Sequence, residues 1–148
     1  MKISLEESSI LIRALEIAEK RMSYGEVLES PEHVRDYIKL ELCQLQHEVF
    51  GVIWLTAKHG VICHELLFNG TVDGSAVYAR EVIKHALAHN AAACFIYHNH
   101  PSGIPEPSLA DKQLTYKLKE ALALVDVRLL DHFVVGKSIV SFAERGLM

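Results

Sequence analysis

The sequence predicts an α/β fold, a sandwich in which helices flank a mixed β-sheet. Segments with helical periodicity alternate with strand-forming runs in the order ααββαβαββ, and the sequence shows no internal repeat or low-complexity segment. Such alternation is typical of a layered sheet covered by helices. A chain of 148 residues is most simply one domain. It can bury roughly 68–70% of its unfolded surface, so it needs no disulfide or metal merely to stay folded.

The first two predicted elements are helices. Apolar residues from Ile10 to Ala18 recur at helical spacing, so residues 6–22 are predicted to form an amphipathic helix that ends before Gly25. The triplet Ser30-Pro31-Glu32 then supplies an N-cap residue, a proline for the first helical position and an acidic residue for the first turn. A second helix is therefore expected from there to about Cys43.

Strand-forming runs and turn residues predict the other elements. Residues 49–55 and 61–68 are rich in strand formers and are separated by Lys58-His59-Gly60, which predicts a β-hairpin. Asn69-Gly70 and Asp73-Gly74 predict further turns. The remaining elements are predicted as a helix over 77–89, a buried strand over 92–98, a helix over 108–124, and strands over 127–135 and 138–142.

Charge and cysteine content limit the class of protein. The net charge is −4 and the Lys and Arg residues are scattered, which argues against a large electrostatic footprint for nucleic acid. Cys43, Cys63 and Cys94 are odd in number and follow no pattern, which favours a reducing cytoplasm over a disulfide framework. The first residues lack the apolar core of a signal peptide, and the longest apolar run is too short to span a bilayer. We therefore expect a cytoplasmic protein without a membrane partner.

The most informative stretch runs from His98 to Asp111. His98 and His100 are two residues apart at the end of the predicted buried strand, so their side chains are expected on one face. Pro101 ends that strand, and Asp111 falls in the first turn of the next helix. Two neutral imidazoles and one carboxylate are ligand types that Zn²⁺ takes at a catalytic site, where a fourth position stays open. The pattern predicts such a site, with His98, His100 and Asp111 as its ligands.

Several of these residues also have a purely structural interpretation. Ser108 and Asp111 form Ser-x-x-Asp, which is a capping box for the helix that they open. Glu106 is expected to be solvated and is only a minor alternative ligand. Asp131 and His132 could orient a ligand from a late strand, but the favoured interpretation is that they satisfy each other near a sheet end. The histidines that lack partners at suitable spacing are interpreted as surface or packing residues: His33, His47, His59, His64, His85 and His89.

A family resemblance rests on these residues. His-x-His, seven residues and then Ser-x-x-Asp match the JAMM motif of JAB/MPN metalloproteases. The wider sequence resembles the RadC family in these stretches: Phe68-Asn69-Gly70-Thr71, Ala79-Arg80-Glu81, His98-Asn99-His100-Pro101-Ser102-Gly103, Pro107-Ser108 and Leu130-Asp131-His132. The resemblance covers about Ser30 to Met148. It implies a JAB/MPN-type (cytidine deaminase-like) sandwich with bound Zn²⁺, and a division into a helical extension over 1–29 and a RadC-like JAB/MPN domain over 30–148.

The resemblance also implies roles for residues outside the ligand set. JAMM enzymes use a glutamate at the start of a strand, and Glu48 matches that position as the general base and acid. By the same analogy Ser108 donates a hydrogen bond to the oxyanion. Glu41 and Glu81 are the alternatives to Glu48. The implied reaction is hydrolysis of a peptide, isopeptide or other amide bond by a metal-activated water.

Two other classes of function stay open. The protein could be a DNA repair-associated or nucleic-acid-processing factor, although its acidic balance argues against this, and the helix-hairpin-helix region of longer RadC proteins is expected to be missing. The contiguous His-Asn-His also differs from HNH nucleases, whose named residues are spread over a hairpin and a helix. Alternatively, the chain could be a JAB-fold interaction module without activity. The sequence leaves the substrate and the oligomeric state open.

Overall fold

Within the part of the chain that the structure describes, nine elements follow one another in the predicted order. The computed structural model describes residues 3–25, 27–28, 31–43, 45–70 and 77–148. The helices are α1 (Leu5–Arg21), α2 (Pro31–Leu42), α3 (Ala79–Ala88) and α4 (Leu109–Ala123). The strands are β1 (Val49–Leu55), β2 (Val61–Asn69), β3 (Ala93–Asn99), β4 (Arg128–Val135) and β5 (Ile139–Ser141). The predicted N-cap Ser30 and the predicted turn at Asp73-Gly74 lie outside the described residues.

The strands form one mixed sheet in the order β2-β1-β3-β4-β5. β1 runs antiparallel to both β2 and β3, β3 and β4 are parallel, and β4 and β5 are antiparallel. The parallel pair is connected through α4, so the carboxyl ends of β3 and β4 lie at the same edge of the sheet. This confirms the predicted α/β sandwich with a mixed sheet.

Helices cover the sheet on both faces. One core cluster joins α1 and α2 to residues such as Ile53 and Tyr97, and a second joins α3 and α4 to residues such as Trp54 and Ile96. Because side chains alternate along a strand, the even-numbered residues near the end of β3 face α3 and α4. His98 is therefore directed towards α4.

The apolar run of β1 is continuous because β1 is an interior strand of the sheet. All seven of its residues are buried, since both faces of the strand are covered. Gly51 interrupts the run of large side chains opposite Tyr97 on β3. A Cβ atom at Gly51 would lie 2.2 Å from the Tyr97 ring, so only glycine leaves room for that ring.

Among the residues that the structure describes, none of the helices combines the length and the apolar character that a bilayer crossing requires.

Candidate metal centre

The site lies where the end of β3 meets the first turn of α4. His98 is 3% exposed and belongs to β3, while His100 follows the strand directly. Ser108 is the N-cap of α4, and Asp111 stands at the third position of that helix. The turn that connects strand and helix therefore brings the two imidazoles and the carboxylate together.

The three side chains converge on one point. Nε2 of His98 lies 3.2 Å from Oδ1 of Asp111, and Nε2 of His100 lies 3.2 Å from Oδ2 of the same carboxylate. The two Nε2 atoms are 3.0 Å apart. A tetrahedral Zn²⁺ with ligands at 2.0–2.1 Å holds neighbouring ligand atoms about 3.3–3.4 Å apart. The spacing of the three groups therefore fits a zinc ion with small adjustments.

A chain of hydrogen bonds sets the tautomer of His98. The hydroxyl of Thr115 donates its proton to the carbonyl oxygen of Asp111 at 2.7 Å, so towards Nδ1 of His132, 2.6 Å away, it can only accept. Neutral His132 then carries its proton on Nδ1 and accepts from Nδ1–H of His98 through Nε2, at 2.8 Å. His98 therefore presents the lone pair of its Nε2 to the site.

His100 is oriented by its own loop. Its Nδ1 lies 2.8 Å from the carbonyl oxygen of Ile104, and a carbonyl can only accept, so Nδ1 donates. Gly103 has φ +82°, a conformation that glycine adopts without strain, and this turn brings the Ile104 carbonyl back to the imidazole. Neutral His100 also directs an Nε2 lone pair at Asp111. Two nitrogen lone pairs and two carboxylate oxygens facing one point are the arrangement that a cation satisfies.

In the metal-free site, protons on the imidazole Nε2 atoms donate to the Asp111 carboxylate, and a bound cation would replace these protons. Although burial raises it, the pKa of the Asp111 carboxyl is held well below its usual range by hydrogen bonds from His100 and His98. The hydrogen bond with Asp111 raises the pKa of His100 against the effect of burial, with smaller contributions from Ile104 and Glu48. Burial, followed by the charge of His98, lowers the pKa of His132 well below its usual range. His132 is therefore neutral, as the tautomer of His98 requires.

A cavity of about 350 Å³ opens beside the three ligands. Glu48, directly before β1, lines it together with Ser108, His98, His100 and Asp111. The apolar part of its wall is formed by four further residues: Phe50, Val77, Ala110 and Leu114. The structure thus brings all five residues singled out from the sequence to one cavity.

The two alternative glutamates have other partners. Glu41 accepts a hydrogen bond from the hydroxyl of Tyr97 at 2.7 Å, and Tyr97 belongs to the α1 and α2 face of the sheet. Glu81 lies on α3 beside Lys84. Neither residue lines the cavity that holds Glu48. Glu106, the minor alternative ligand, is paired with Arg145 at 2.8 Å and is mostly exposed.

Ser108 and Asp111 form the capping box that their spacing predicts. The Ser108 hydroxyl accepts from the backbone N–H of Asp111 at 3.0 Å, and the Asp111 carboxylate accepts from the backbone N–H of Ser108 at 2.8 Å. Because the hydroxyl uses a lone pair in this contact, its proton is left for another acceptor. Capping and a role in the cavity are therefore compatible.

The favoured interpretation of Asp131 and His132 as a self-satisfied pair is wrong for their side chains. Successive residues of β4 point to opposite faces of the sheet, so the two side chains diverge. The Asp131 carboxylate accepts from the Ser141 hydroxyl and from the backbone N–H groups of His132 and Ala143, whereas the His132 side chain contacts His98 and Thr115. Thr115 was not singled out from the sequence. The signal that could have found it is that His98 and His132 lie on neighbouring parallel strands and face the same side of the sheet.

Three of the histidines interpreted as surface or packing residues make side-chain contacts. Nδ1 of His64 contacts the Tyr37 hydroxyl, and His85 and His89 both contact the carboxylate of Glu65. All three are half-buried, which agrees with a packing role, but their partners were not identified from the sequence. The strand and the helix that carry the Glu65 contacts are brought together by the fold, which single-residue spacing does not reveal.

Known proteins similar to this chain point to one family. A family model described as a RadC-like JAB domain matches residues 28–147. A UPF0758 protein of Leptothrix cholodnii is 55% identical over 145 residues, covering 95% of this chain and 65% of the relative. One from Azotobacter vinelandii is 60% identical over 128 residues, covering 86% and 57%, respectively. The names of these relatives state no activity.

A shorter relative matches over most of its length. The UPF0758 protein of Vibrio cholerae is 52% identical over 140 residues, covering 95% of this chain and 89% of the relative. By contrast, the chain spans less than two thirds of the Leptothrix and Azotobacter proteins. The family match, these identities and the mixed sheet together show that the chain belongs to the RadC family of JAB-domain proteins.

Proposed function

We propose that this protein is a zinc-dependent hydrolase of the JAMM type that cleaves a peptide or isopeptide bond with water. The observation that carries the proposal is the convergence of two imidazole Nε2 atoms and one carboxylate within 3.0–3.2 Å of each other. Hydrogen bonds at the far side of both imidazoles already hold the tautomers that a metal requires.

His98, His100 and Asp111 would hold the ion beside the cavity, and three protein ligands would leave it able to bind water or substrate. A bound Zn²⁺ supplies Lewis-acid polarisation of the scissile carbonyl and lowers the pKa of water towards neutrality. The protein contributes a rigid frame for this chemistry, because one ligand comes from a buried strand and another from the first turn of a helix.

Glu48 is proposed as the general base and acid. Its carboxylate lines the cavity and contributes electrostatically to the raised pKa of His100, after the larger effects of Asp111 and Ile104. From this position it takes a proton from the attacking water and passes it to the leaving amine. Such a group contributes about 10²–10⁴-fold to the rate in other enzymes.

Ser108 is proposed to stabilise the oxyanion. Its hydroxyl accepts from the Asp111 N–H and keeps its own proton for a substrate oxygen in the same cavity. Removal of one such donor elsewhere costs about 2.7–4 kcal/mol of transition-state stabilisation.

The cavity supports a class of substrate, and the cysteines and net charge support a cellular compartment and a kind of partner. Its volume of about 350 Å³ and its apolar wall suit one side chain and the scissile bond of an extended peptide. The three cysteines are unpaired, which supports our proposal that the protein works in the reducing cytoplasm. The net charge of −4 supports a peptide rather than a nucleic acid as the partner.

The proposal is tested by zinc content and turnover of the full chain. We expect the parent protein to bind zinc and to hydrolyse members of a panel of fluorogenic peptide amides and isopeptide-linked peptides. Glu48→Gln should keep the zinc at the His98 site and lose about 10²–10⁴-fold in kcat, because the amide cannot take a proton.

Four outcomes would count against all or part of this proposal. A well-folded protein that binds no zinc through His98, His100 and Asp111 would remove the metal centre. Unchanged turnover of Glu48→Gln would remove Glu48 from the mechanism. Tight, salt-sensitive binding of DNA together with no hydrolysis would instead favour the nucleic-acid factor, and zinc binding with neither property would favour the interaction module.

A further inference from the structure

A second group of polar side chains lies between the edge strand β2 and the end of helix α3. Glu65 belongs to β2, His85 lies in the last turn of α3, and His89 is the C-cap residue of that helix. Side chains four residues apart on a helix are neighbours on its surface, so the two imidazoles stand side by side. Both of them contact the Glu65 carboxylate and so connect the helix to the strand.

Three nitrogen atoms surround one oxygen atom in this group. Oε1 of Glu65 lies 2.8 Å from Nε1 of Trp54, 2.9 Å from Nδ1 of His85 and 3.1 Å from Nε2 of His89. The indole N–H can only donate, and a carboxylate oxygen offers about two lone-pair sites. Once the indole occupies one of these, two imidazole donors would compete for the other. A cation between the carboxylate and the imidazoles removes this competition, because each imidazole then gives a lone pair to the ion.

The distances within the group fit a metal ion. The ligand atoms of Glu65, His85 and His89 all lie within 4.8 Å of one another. Neighbouring ligand atoms around tetrahedral zinc are about 3.3–3.4 Å apart, so the two contacts between nitrogen and oxygen need to lengthen by only about 0.2–0.5 Å. The three side chains are 28–37% exposed, so they have room for this adjustment and an ion between them would face solvent.

Cys63 is a neighbour of this group and not one of its ligands. Its Sγ lies 3.5 Å from Nδ1 and 3.6 Å from Nε2 of His89. Nearly equal distances to both ring nitrogens place the sulfur against the face of the imidazole, out of line with either lone pair. The group therefore offers three protein ligands.

The surroundings favour a positive charge at this point. The C-terminal end of a helix carries a partial negative charge, and His85 and His89 lie at that end of α3. Trp54 is fully buried in β1 and donates to the Glu65 carboxylate from the sheet. Such an outer hydrogen bond fixes the orientation of a carboxylate ligand at metal sites.

We propose that Glu65, His85 and His89 form a second, exchangeable Zn²⁺ site with water at its open position. Three protein ligands leave tetrahedral zinc one position for water. Imidazole favours zinc over Mg²⁺ and Ca²⁺, which prefer oxygen ligands. Each imidazole binds through the nitrogen near Glu65 and carries its proton on the other nitrogen. The ion joins β2 to α3, and it exchanges more readily than at the His98 site because these side chains are more exposed.

Trp54 provides the readout for this site. It is the single tryptophan of the chain, and its indole contacts the Glu65 carboxylate. A paramagnetic Co²⁺ ion at the site lies close to the indole and should quench its fluorescence. Metal-free full-length protein titrated with Co²⁺ should show saturable quenching, which excess Zn²⁺ reverses because zinc binds such ligands more tightly. Unchanged fluorescence at saturating Co²⁺ would overturn the proposal.

The variant His98→Gln/His100→Gln distinguishes the two metal centres. It removes two ligands of the proposed hydrolase and should keep the full quenching of Trp54, with about one Co²⁺ bound per chain. Loss of the quenching in this variant would assign the signal to the His98 site and overturn the second site. Persistent quenching in a parent protein that hydrolyses no substrate would instead support the second site and count against the proposed function alone.

Variants of the three ligands assign the site. His85→Gln/His89→Gln should abolish the quenching and lower the zinc bound in equilibrium dialysis from about two ions per chain to about one. Glu65→Gln keeps an acceptor for the indole but loses the charge, and it should weaken Co²⁺ binding by more than the roughly 10–100-fold that loss of an outer partner costs.

The matched control removes two imidazoles elsewhere. His33 lies on α2 and His59 lies in the turn between β1 and β2, so His33→Gln/His59→Gln should behave as the parent protein does. Equal quenching in the parent, the control and both ligand variants would show that Glu65, His85 and His89 hold no metal.

Discussion

The side chain of Asn99 holds the backbone on both sides of Glu48. Its Oδ1 accepts from the N–H of Val49 at 2.7 Å, and its Nδ2 donates to the carbonyl of His47 at 3.0 Å. The carbonyl of Glu48 itself accepts from the N–H of Gly70 at 2.7 Å. Asn99 lies between the two histidines of the metal centre in the sequence, so one short segment supplies both the metal ligands and the clamp for the general base.

Asn99→Ala should impair turnover without removing the metal. The substitution frees the peptide units around Glu48, so the carboxylate loses its position, and a misplacement of about 1 Å can cost on the order of 10²-fold in rate. Leaving the buried N–H of Val49 unsatisfied should also cost about 1–3 kcal/mol of folding free energy. The measurements are kcat, zinc content and denaturant unfolding.

The double variant Asn99→Ala/Glu48→Gln provides the control. If Asn99 acts by positioning Glu48, its loss should lower kcat much less when the carboxylate is already absent. A full and additive loss would mean that Asn99 affects the reaction by another route.

The fold was predictable because its elements have clear local signals. The run from Val49 to Leu55 is apolar at every position but Gly51, as expected of a strand that is buried on both faces, and the capping residues of α4 mark its start. The metal ligands could also be predicted from the sequence, since His98, His100 and Asp111 lie within one strand, one loop and one helical turn. Their relative positions are set by local geometry.

The hydrogen bonds that orient the ligand His98 could not be predicted from the sequence in the same way. His98 and His132 are 34 residues apart, and their contact depends on the register of β3 against β4. The contacts of His85 and His89 with Glu65 likewise depend on the packing of α3 on β2. An i, i+4 pair of histidines on a helix is common by chance, and only the fold brings this pair to a carboxylate on a strand.

Thr115→Val should weaken zinc binding at the His98 site. The valine keeps the shape of the side chain but removes the acceptor that holds the proton of His132 on Nδ1, so the tautomer of His98 is no longer set. Loss of such an outer partner typically costs 10–100-fold in metal affinity. Competition with a chromophoric chelator measures the change.

Thr115→Ser is the matched control because it keeps the hydroxyl. Its zinc affinity should stay close to that of the parent. Equal affinities for the valine, serine and parent proteins would show that the chain from Thr115 through His132 does not orient the metal ligand.

The metal-free protein should show a pH window in which Asp111 stabilises the fold. The pKa of Asp111 is lowered in the folded state, so its contribution is present above the unfolded value of about 3.9 and is lost as the pH falls through the folded value. The pKa of His100 is raised, so its contribution is present below the unfolded value of about 6.5 and is lost as the pH rises through the folded value. The pair is therefore most stabilising between about pH 4 and 6.5.

Thermal unfolding of the metal-free parent and of Asp111→Asn measures this effect. The difference in Tm between them should be largest inside that window and should narrow on both sides of it. A difference that stays constant from pH 3 to 9 would contradict the ion pair between Asp111 and His100, because an uncharged packing effect does not titrate.

Gly136→Ala should disturb the loop that orients His100. A Cβ atom at Gly136 would lie 2.4 Å from the carbonyl oxygen of Gly103, which accepts a hydrogen bond from the N–H of Lys137 at 2.8 Å. Since that neighbour is backbone, the loop itself must move, and the Ile104 carbonyl moves with it. We expect a loss of stability of about 1–3 kcal/mol from overpacking and a fall in zinc affinity of about 10–100-fold.

Gly146→Ala is the control that distinguishes a disturbance of the His100 loop from the general effect of replacing a glycine by alanine. Gly146 has φ +66° and open space around its Cβ position, so alanine there is strained but displaces no neighbour. This variant should lose about 1–2 kcal/mol of stability and keep the zinc affinity of the parent. If Gly136→Ala behaves in the same way, losing stability alone, the loop packing does not hold the imidazole. A fall in affinity confined to Gly136→Ala would instead mean that close packing of Gly136 against Gly103 maintains the direction of the His100 lone pair.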